Sequence, residues 1–108
     1  MHTRPLVLLV LLSTTSAAHA TEQPRYLTVL NRAHDSILRL EVAEAGSGVF
    51  EARPIDRIDG GGVSTTVRLG DTGCRFDLRL AFRNGRDAIY REVDVCRGDV
   101  LVVQPLPS

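Results

Sequence analysis

The fold is decided by residues 74–96, CRFDLRLAFRNGRDAIYREVDVC, which have the pattern of a β-hairpin. Apolar side chains recur at every second position of the first arm: Cys74, Phe76, Leu78, Leu80 and Phe82. A period of two is typical of a strand with one face on a hydrophobic core. Asn84-Gly85 follows, and this dipeptide is a strong hairpin signal because both residues tolerate a positive φ. The sequence therefore predicts that residues 88–96 return antiparallel to residues 74–82.

The simplest register of this hairpin conflicts with its two cysteines. A two-residue turn would pair Leu80 with Ile89 and Arg79 with Tyr90, which directs Tyr90 outward. Cys96 would then point away from Cys74, whereas a disulfide needs Cβ atoms about 4 Å apart. We therefore predict a β-bulge near residues 94–95, or a turn longer than two residues.

Cys74 and Cys96 are the only cysteines, and we expect them to form a disulfide. Closing a loop of roughly 23 residues would stabilise the fold by about 3 kcal/mol in the chain-entropy model. Free thiols and a metal site are the alternatives. A metal site usually needs more than two Cys or His ligands, and His34 is the only histidine after residue 20.

Residues 1–20 have the features of a secretory signal peptide. Arg4 precedes the apolar run Leu6–Leu12, and the segment ends on Ala18-His19-Ala20, an A-x-A cleavage pattern. A membrane-spanning helix is the competing interpretation, but it needs about 20 apolar residues. The sequence thus predicts export to the periplasm or beyond the cell, and a single domain formed by residues 21–108.

The rest of the chain consists of short apolar stretches separated by turn signals. Strands are expected at Tyr26–Leu30, Ile37–Ala43, Val63–Leu69 and Val100–Val103, besides the two hairpin arms. Residues 49–59 could be an edge strand or an irregular crossing, because Pro54 interrupts them. Since no segment has a helical period, we predict a small all-β fold, an antiparallel immunoglobulin-like sandwich of about six or seven strands. A barrel is the less favoured alternative.

Residue clusters with catalytic potential are weak. His34-Asp35-Ser36 contains the residue types of a catalytic triad, but neighbours in one short loop rarely converge, so a polar turn is expected. Asp56 and Asp59 precede three glycines without the ligand spacing of a calcium-binding loop. We therefore predict a protein that is not an enzyme and that has no cofactor or metal.

Charge gives one candidate binding surface. The chain has 13 basic and 13 acidic residues, a balance that does not favour nucleic acid. The hairpin carries a candidate binding face of five residues: Arg75, Arg79, Arg83, Tyr90 and Arg91. Such a face could contact a protein or an anionic envelope component, such as a glycan or a lipid headgroup. The alternative is an ordinary charged surface with cross-strand ion pairs to Asp77, Glu92 and Asp94.

Several of these features occur together in a known group of proteins. They are Asn31, the strand Ile37–Leu40, Phe50, Gly60–Gly62, the segment Cys74–Arg79, Asn84-Gly85 and the segment Val93–Cys96. In this pattern the chain resembles small exported proteobacterial proteins of unknown function, in which a Trp is common where Phe50 stands. The resemblance implies export, β structure and the disulfide, and it implies no activity.

Two functions follow as hypotheses. The first is an exported, non-catalytic domain that binds another macromolecule. The second is a small hydrolase inhibitor that presents an exposed loop, either Glu44–Gly48 or Asp56–Gly62.

Residues 50, 76 and 82 are the three phenylalanines, and all are expected in the core. An exposed final strand at Val100–Val103 could pair with a second copy.

Overall fold

A computed structural model describes residues 23–107, and the predicted signal peptide lies outside them. The described part of the chain contains seven strands and no helix. They are β1 (Arg25–Asn31), β2 (Ile37–Glu44), β3 (Glu51–Arg53), β4 (Val63–Gly70), β5 (Arg75–Phe82), β6 (Asp87–Asp94) and β7 (Val100–Val103). None of the described segments is a helix of the length and hydropathy needed to cross a membrane.

The strands form two sheets that pack on a common core. One sheet has the order β4-β1-β7 and the other the order β3-β2-β5-β6. All neighbours are antiparallel except β7, which runs parallel to β1. The predicted all-β sandwich is therefore confirmed, with one parallel pair where the sequence suggested only antiparallel ones.

The core contains the inward side chains of both sheets. The fully buried aliphatic residues include Leu27 and Val29 of β1, Leu40 of β2, and Leu78 and Leu80 of β5. Their spacing of two is the alternation that the sequence shows, since successive side chains of a strand point to opposite faces. Burying a side chain of this size contributes about 1.5–3 kcal/mol.

The uncertain segment at residues 49–59 is partly strand and partly irregular crossing. It contains the short strand β3 and then inserts Ile58, which is 1% exposed, into the core. Two backbone hydrogen bonds between Ile58 and Ile37, of 2.9 and 3.0 Å, fix the crossing against β2.

The start of β2 departs from the simple alternation. The register of β2 against β5 shifts between Ile37 and Arg39, which leaves Leu38 as the extra residue of a bulge. Ile37 is therefore buried and Leu38 is 48% exposed. A strict alternation continued back from Leu40 would direct Leu38 inward, and the bulge reverses that direction.

The β5–β6 hairpin has both irregularities that the cysteine spacing suggested as alternatives, a turn longer than two residues and a β-bulge. Its turn contains three residues, 83–85, with Gly85 at a φ of 89°, and is closed by the Phe82 N–H donating to the Arg86 carbonyl at 2.8 Å. The register then shifts between Phe76 and Leu78. Glu92, at a φ of 54°, marks this bulge, which lies a few residues before the predicted site at 94–95.

The Cys74–Cys96 disulfide is confirmed, with Cα atoms 5.2 Å apart. Cys74 precedes β5 and Cys96 lies in the turn after β6, rather than in the second arm as predicted. Because both residues lie outside the strands, the alternation of strand faces does not constrain them. The Val95 N–H donates to the Cys74 carbonyl at 2.8 Å and holds the two ends together.

Candidate functional site

The outward side of the four-stranded sheet carries most of the charged candidate residues, and we call it the charged face. It is formed by Phe50 before β3, Arg39 and Glu41 of β2, Arg75 and Arg79 of β5, and Asp87, Ile89 and Arg91 of β6. These positions alternate with the buried residues of the same strands, which explains why they share one side of the sheet.

Arg79 lies at the centre of the charged face and is held on two sides. Its Nε donates to Glu41 Oε1 at 2.6 Å, and its guanidinium carbon lies 4.4 Å from the centroid of the Phe50 ring. Arg39 contacts the other oxygen of Glu41 at 2.9 Å. The hydrogen bond from Arg79 lowers the pKa of Glu41 below its usual value, so the Glu41 carboxylate stays ionised to a lower pH than an isolated glutamate.

Phe50 is half-buried on this face, so its expected place in the core was wrong. The register explains the difference: β3 pairs Ala52 with Glu41, an outward residue, and the alternation then directs Phe50 outward as well. The ring packs beneath a guanidinium, a cation–π arrangement worth about 0.5–1 kcal/mol at exposed sites.

The other arginines of the hairpin have acidic neighbours or lie elsewhere. Arg75 approaches Glu92 and Asp94 at 3.9 Å each, and Arg91 approaches Asp77 at 3.8 Å. These are the cross-strand partners that the sequence suggested. The Arg75–Glu92 pair is exposed on both sides, and exposed pairs stabilise a fold little. Arg83 lies in the hairpin turn, at the end of the sheet, where its backbone N–H donates to the Ser36 carbonyl at 2.9 Å.

Tyr90 does not belong to the charged face, and its predicted outward position was wrong. The three-residue turn shifts the register by one, so Tyr90 pairs with Leu78 and packs against the core. Ile89 takes the outward place beside Arg79 and is 44% exposed. The sequence carried a hint of this exchange, because a glycine after Asn84 also suits a three-residue turn.

Asp77 of β5 is a buried carboxylate, 2% exposed, that links β5 to the loop after β2 and to the bulge of β6. Its oxygens accept the backbone N–H groups of Gly46 at 3.0 Å and of Glu92 at 2.9 Å. These two hydrogen bonds, with the nearby charge of Arg91, lower the pKa of Asp77. The sequence placed Asp77 among solvent-exposed ion pairs, whereas its main partners are the backbone of a loop and of the bulge.

The loop His34-Asp35-Ser36 does not form a triad. Asp35 Oδ2 accepts the Asn84 N–H at 2.6 Å, the Ser36 hydroxyl donates to Asp59 at 3.0 Å, and His34 is exposed. Each polar group therefore serves a separate contact between loops. Asp59 also accepts a bond from Arg57 at 2.7 Å.

The sulfur atoms of Cys74 and Cys96 and a carboxylate oxygen of Asp94 lie within 4.8 Å of one another. The two sulfurs are bonded to each other, so they cannot act as thiolate ligands. The cluster is therefore a disulfide beside the Asp94 carboxylate, which accepts a hydrogen bond from the Cys96 N–H at 3.0 Å.

A cleft of about 360 Å³ opens between the edges of the two sheets, beside β3 and β4. Its lining includes Val42, Leu69 and Phe76, and its mouth is bridged by Arg53. The Arg53 guanidinium donates to the carbonyls of Arg68 and Leu69 at 3.1 and 2.7 Å. His34 does not line this cleft.

The two loops considered as inhibitory wedges differ in character. Loop Glu44–Gly48 is braced by the Asp77 bond to Gly46 and by an internal bond from Ser47 N–H to the Glu44 carbonyl, 2.9 Å. It ends beside Val49, which is 66% exposed. Loop Asp56–Gly62 instead lies against the body of the sandwich, because it carries the buried Ile58.

Comparisons with known proteins define the fold and no function. No protein-family model matches the chain, and no curated protein does. Among solved structures, the chain is similar to the NMR structure of a protein from Eubacterium rectale, with a TM-score of 0.55 and 10% sequence identity. That similarity covers 85% of this chain and 86% of the other, and at such low identity it concerns the fold alone.

Proposed function

We propose that this chain is an exported, non-catalytic binding domain that docks another protein through the charged face. The observation that carries the proposal is the arrangement of Arg79, which is pinned by Glu41 and stacked on Phe50 on an exposed sheet. Arginine and aromatic side chains held in this way are the residue types that dominate protein–protein hot spots.

The charge pattern favours a protein partner over a polyanion. Arg39, Arg75, Arg79 and Arg91 each have a carboxylate within 4.0 Å. A polyanionic glycan or lipid surface would have to compete with those carboxylates, whereas a protein surface can offer both signs of charge in register. Ile89, exposed next to Arg79, supplies apolar contact area at the same place.

Site-specific photo-cross-linking tests this proposal. A photoreactive amino acid replaces Ile89 in the full chain, and a matched control carries it at Val63, which is exposed to a similar degree on the other sheet. We expect a discrete adduct with one protein from Ile89 in producing cells and none from Val63. Identical adduct patterns from both positions, or no protein adduct from Ile89, would rule out docking through this face.

A second candidate function is a hydrolase inhibitor that uses the loop Glu44–Gly48. The observation that favours it is the bracing of this loop together with the exposure of Val49, because a loop already held in one conformation loses less entropy when it binds. The test is titration of the protein into secreted peptidases and glycoside hydrolases. Stoichiometric inhibition that Val49→Asp abolishes would support it, and unchanged enzyme rates would exclude it for those enzymes.

A further inference from the structure

The outer face of the three-stranded sheet contrasts with the charged face. Its outward residues are Tyr26, Thr28 and Leu30 of β1, Ser64, Thr66 and Arg68 of β4, and Val100 and Val102 of β7. Arg68, at one end, is the one charged residue among them, and it pairs with Asp71. Tyr26 is 50% exposed and Val100 is 56% exposed. Charge is therefore confined to one end of this face.

Each sheet has two edge strands, and three of the four edges carry a device that hinders pairing. β3 has only three residues and is followed by Pro54. On β4, the Arg53 guanidinium donates hydrogen bonds to the carbonyls of Arg68 and Leu69, near the end of the strand. β6 contains the bulge at Glu92 and several charged residues. Bulges, proline, charge and short length are the means by which proteins block edges.

β7, with four residues, is short but has none of the other devices. Its sequence, Val100-Leu101-Val102-Val103, contains no charge and no proline, and its register against β1 is unbroken. The carbonyls of Asp99 and Val103 accept bonds from Thr28 and Arg32, at 2.8 and 2.9 Å, so they point toward β1. Because backbone groups alternate in direction along a strand, the N–H and C=O groups of Val100 and Val102 point to the open edge.

We propose that β7 pairs antiparallel with β7 of a second copy of this chain, around a two-fold axis at Leu101. This register sets Val100 of each copy opposite Val102 of the other, and each such pair exchanges two backbone hydrogen bonds. The pairing joins two three-stranded sheets into one continuous sheet, with the order β4-β1-β7 repeated across the axis.

Side chains favour a second copy as the occupant. Residues opposite one another in an antiparallel pair share a face, so Val100 meets Val102 on the outer side and Leu101 meets its symmetry mate on the inner side. Leu101 is partly buried in the single chain and packs at the margin of the core, so the pairing completes its burial. No charge opposes another across this interface, which makes the edge complementary to itself.

The dimer leaves both charged faces free, because they lie on the other sheet. A partner that presents two docking sites would then bind with an avidity gain. The edge is short and buries less area than a stable interface of standard size, so we expect dissociation constants on the order of 10–100 µM.

Sedimentation velocity of the full-length expressed protein, across about 1 µM to 1 mM, tests the proposal. We expect a concentration-dependent dimer for the unmodified protein. Val102→Pro removes an N–H that faces the open edge and leaves the bonds to β1 intact, so it should raise the dissociation constant at least about tenfold.

Val100→Lys is the second variant, since Val100 is exposed and a substitution there does not disturb the fold. Ser64→Lys, on the same outer face but at the opposite edge, is the control that should dimerise normally. Circular dichroism verifies that each variant is folded. A protein that remains monomeric at 1 mM, or folded Val102→Pro and Val100→Lys variants that dimerise as before, would overturn the proposal. Neither result bears on docking through the charged face.

Discussion

At the residue scale, two buried polar side chains organise the loops of this small sandwich. Asn31, fully buried, donates from its amide nitrogen to the carbonyls of Asp35 and Ile58 at 2.8 and 3.0 Å, while its Oδ1 accepts the Ala33 N–H at 3.0 Å. Asp77 performs the same task at the other end of the molecule. A buried polar group without a partner destabilises the fold. Each of these two side chains therefore stabilises the loop conformations that provide its hydrogen bonds.

Asp77 makes stability depend on pH in a predictable direction. Its folded pKa is lowered by the N–H groups of Gly46 and Glu92, so its contribution is present above the unfolded pKa. That contribution is lost as the pH falls through the folded value, below pH 4. We expect Asp77→Asn to lower the melting temperature by several degrees at pH 7, because an amide has a single oxygen and its NH2 group would face one of the two N–H donors.

Thermal unfolding followed by circular dichroism between pH 7 and pH 2 measures this effect. The gap in melting temperature between the unmodified protein and Asp77→Asn should shrink as the pH falls through the lowered pKa of Asp77, because the unmodified side chain is then protonated as well. Asp87→Asn, at an exposed carboxylate on the same face, is the control and should melt like the unmodified protein. A gap that stays constant with pH would show that the two hydrogen bonds do not depend on the ionised form.

At the scale of the elements, the glycine-rich segment is a packed connection rather than a loose break. Gly61 and Gly62 donate from their N–H groups to the carbonyls of Ala33 and Asn31 at 3.0 and 2.7 Å. Gly60 fits against the same loop so closely that a Cβ there would lie 2.4 Å from the Ala33 oxygen. The segment thereby joins the start of β4 to the end of β1.

Gly60→Ala should therefore destabilise the fold by about 1–3 kcal/mol, the usual cost of forcing extra atoms into a packed site. Gly98→Ala is the matched control, because a Cβ at Gly98 meets no atom within 4 Å and its φ is not positive. Urea unfolding measures both free energies. If the two variants lose the same stability, the close packing at Gly60 is not what holds the segment.

The sequence predicts the elements of this fold well and their irregularities poorly. The alternation around Leu40, Val67 and Leu78 marks strands, since each of these residues is buried in the core. The inward position of Ile37 in place of Leu38 could not be predicted, because a bulge changes the register without a required residue type. The cysteines gave an independent constraint on the hairpin, and only that constraint indicated a bulge or a longer turn.

The candidate site was predictable only where the strands are regular, because an irregular register changes which side chains point outward. Arg79 was placed outward correctly, because it lies on the regular arm of the hairpin. Tyr90 and Ile89 exchanged roles because their positions depend on one residue in the turn. Phe50 was assigned to the core from its residue type alone, and its contact with Arg79 depends on the β2–β3 pairing, which local sequence does not specify.

At the scale of the whole molecule, export and the disulfide belong to one prediction. The sandwich is small, and a disulfide that closes a loop of this length supplies about 3 kcal/mol, a large part of the stability of such a domain. We expect the chain recovered from outside the cytoplasm to begin at Thr21. We also expect it to take up two alkyl groups only after reduction.

Intact-mass analysis before and after reduction and alkylation checks both statements at once. The same chain retained in the cytoplasm by deletion of residues 2–20 is the control, and we expect its cysteines to be alkylated without prior reduction. A mass that includes Met1 in the exported fraction would contradict the signal peptide. Alkylation of that fraction without reduction would contradict a stable disulfide in the exported protein.

We propose that Arg79, at the centre of the charged face, is required for binding another protein. The most direct measurement is the yield of the Ile89 photo-adduct in producing cells, compared among the unmodified background, Arg79→Ala and Arg83→Ala. Arg79 contacts Glu41 and Phe50 on the face, whereas Arg83 lies in the turn beyond it. We expect the adduct yield to fall at least about tenfold with Arg79→Ala and to persist with Arg83→Ala. Equal yields from all three backgrounds would contradict it.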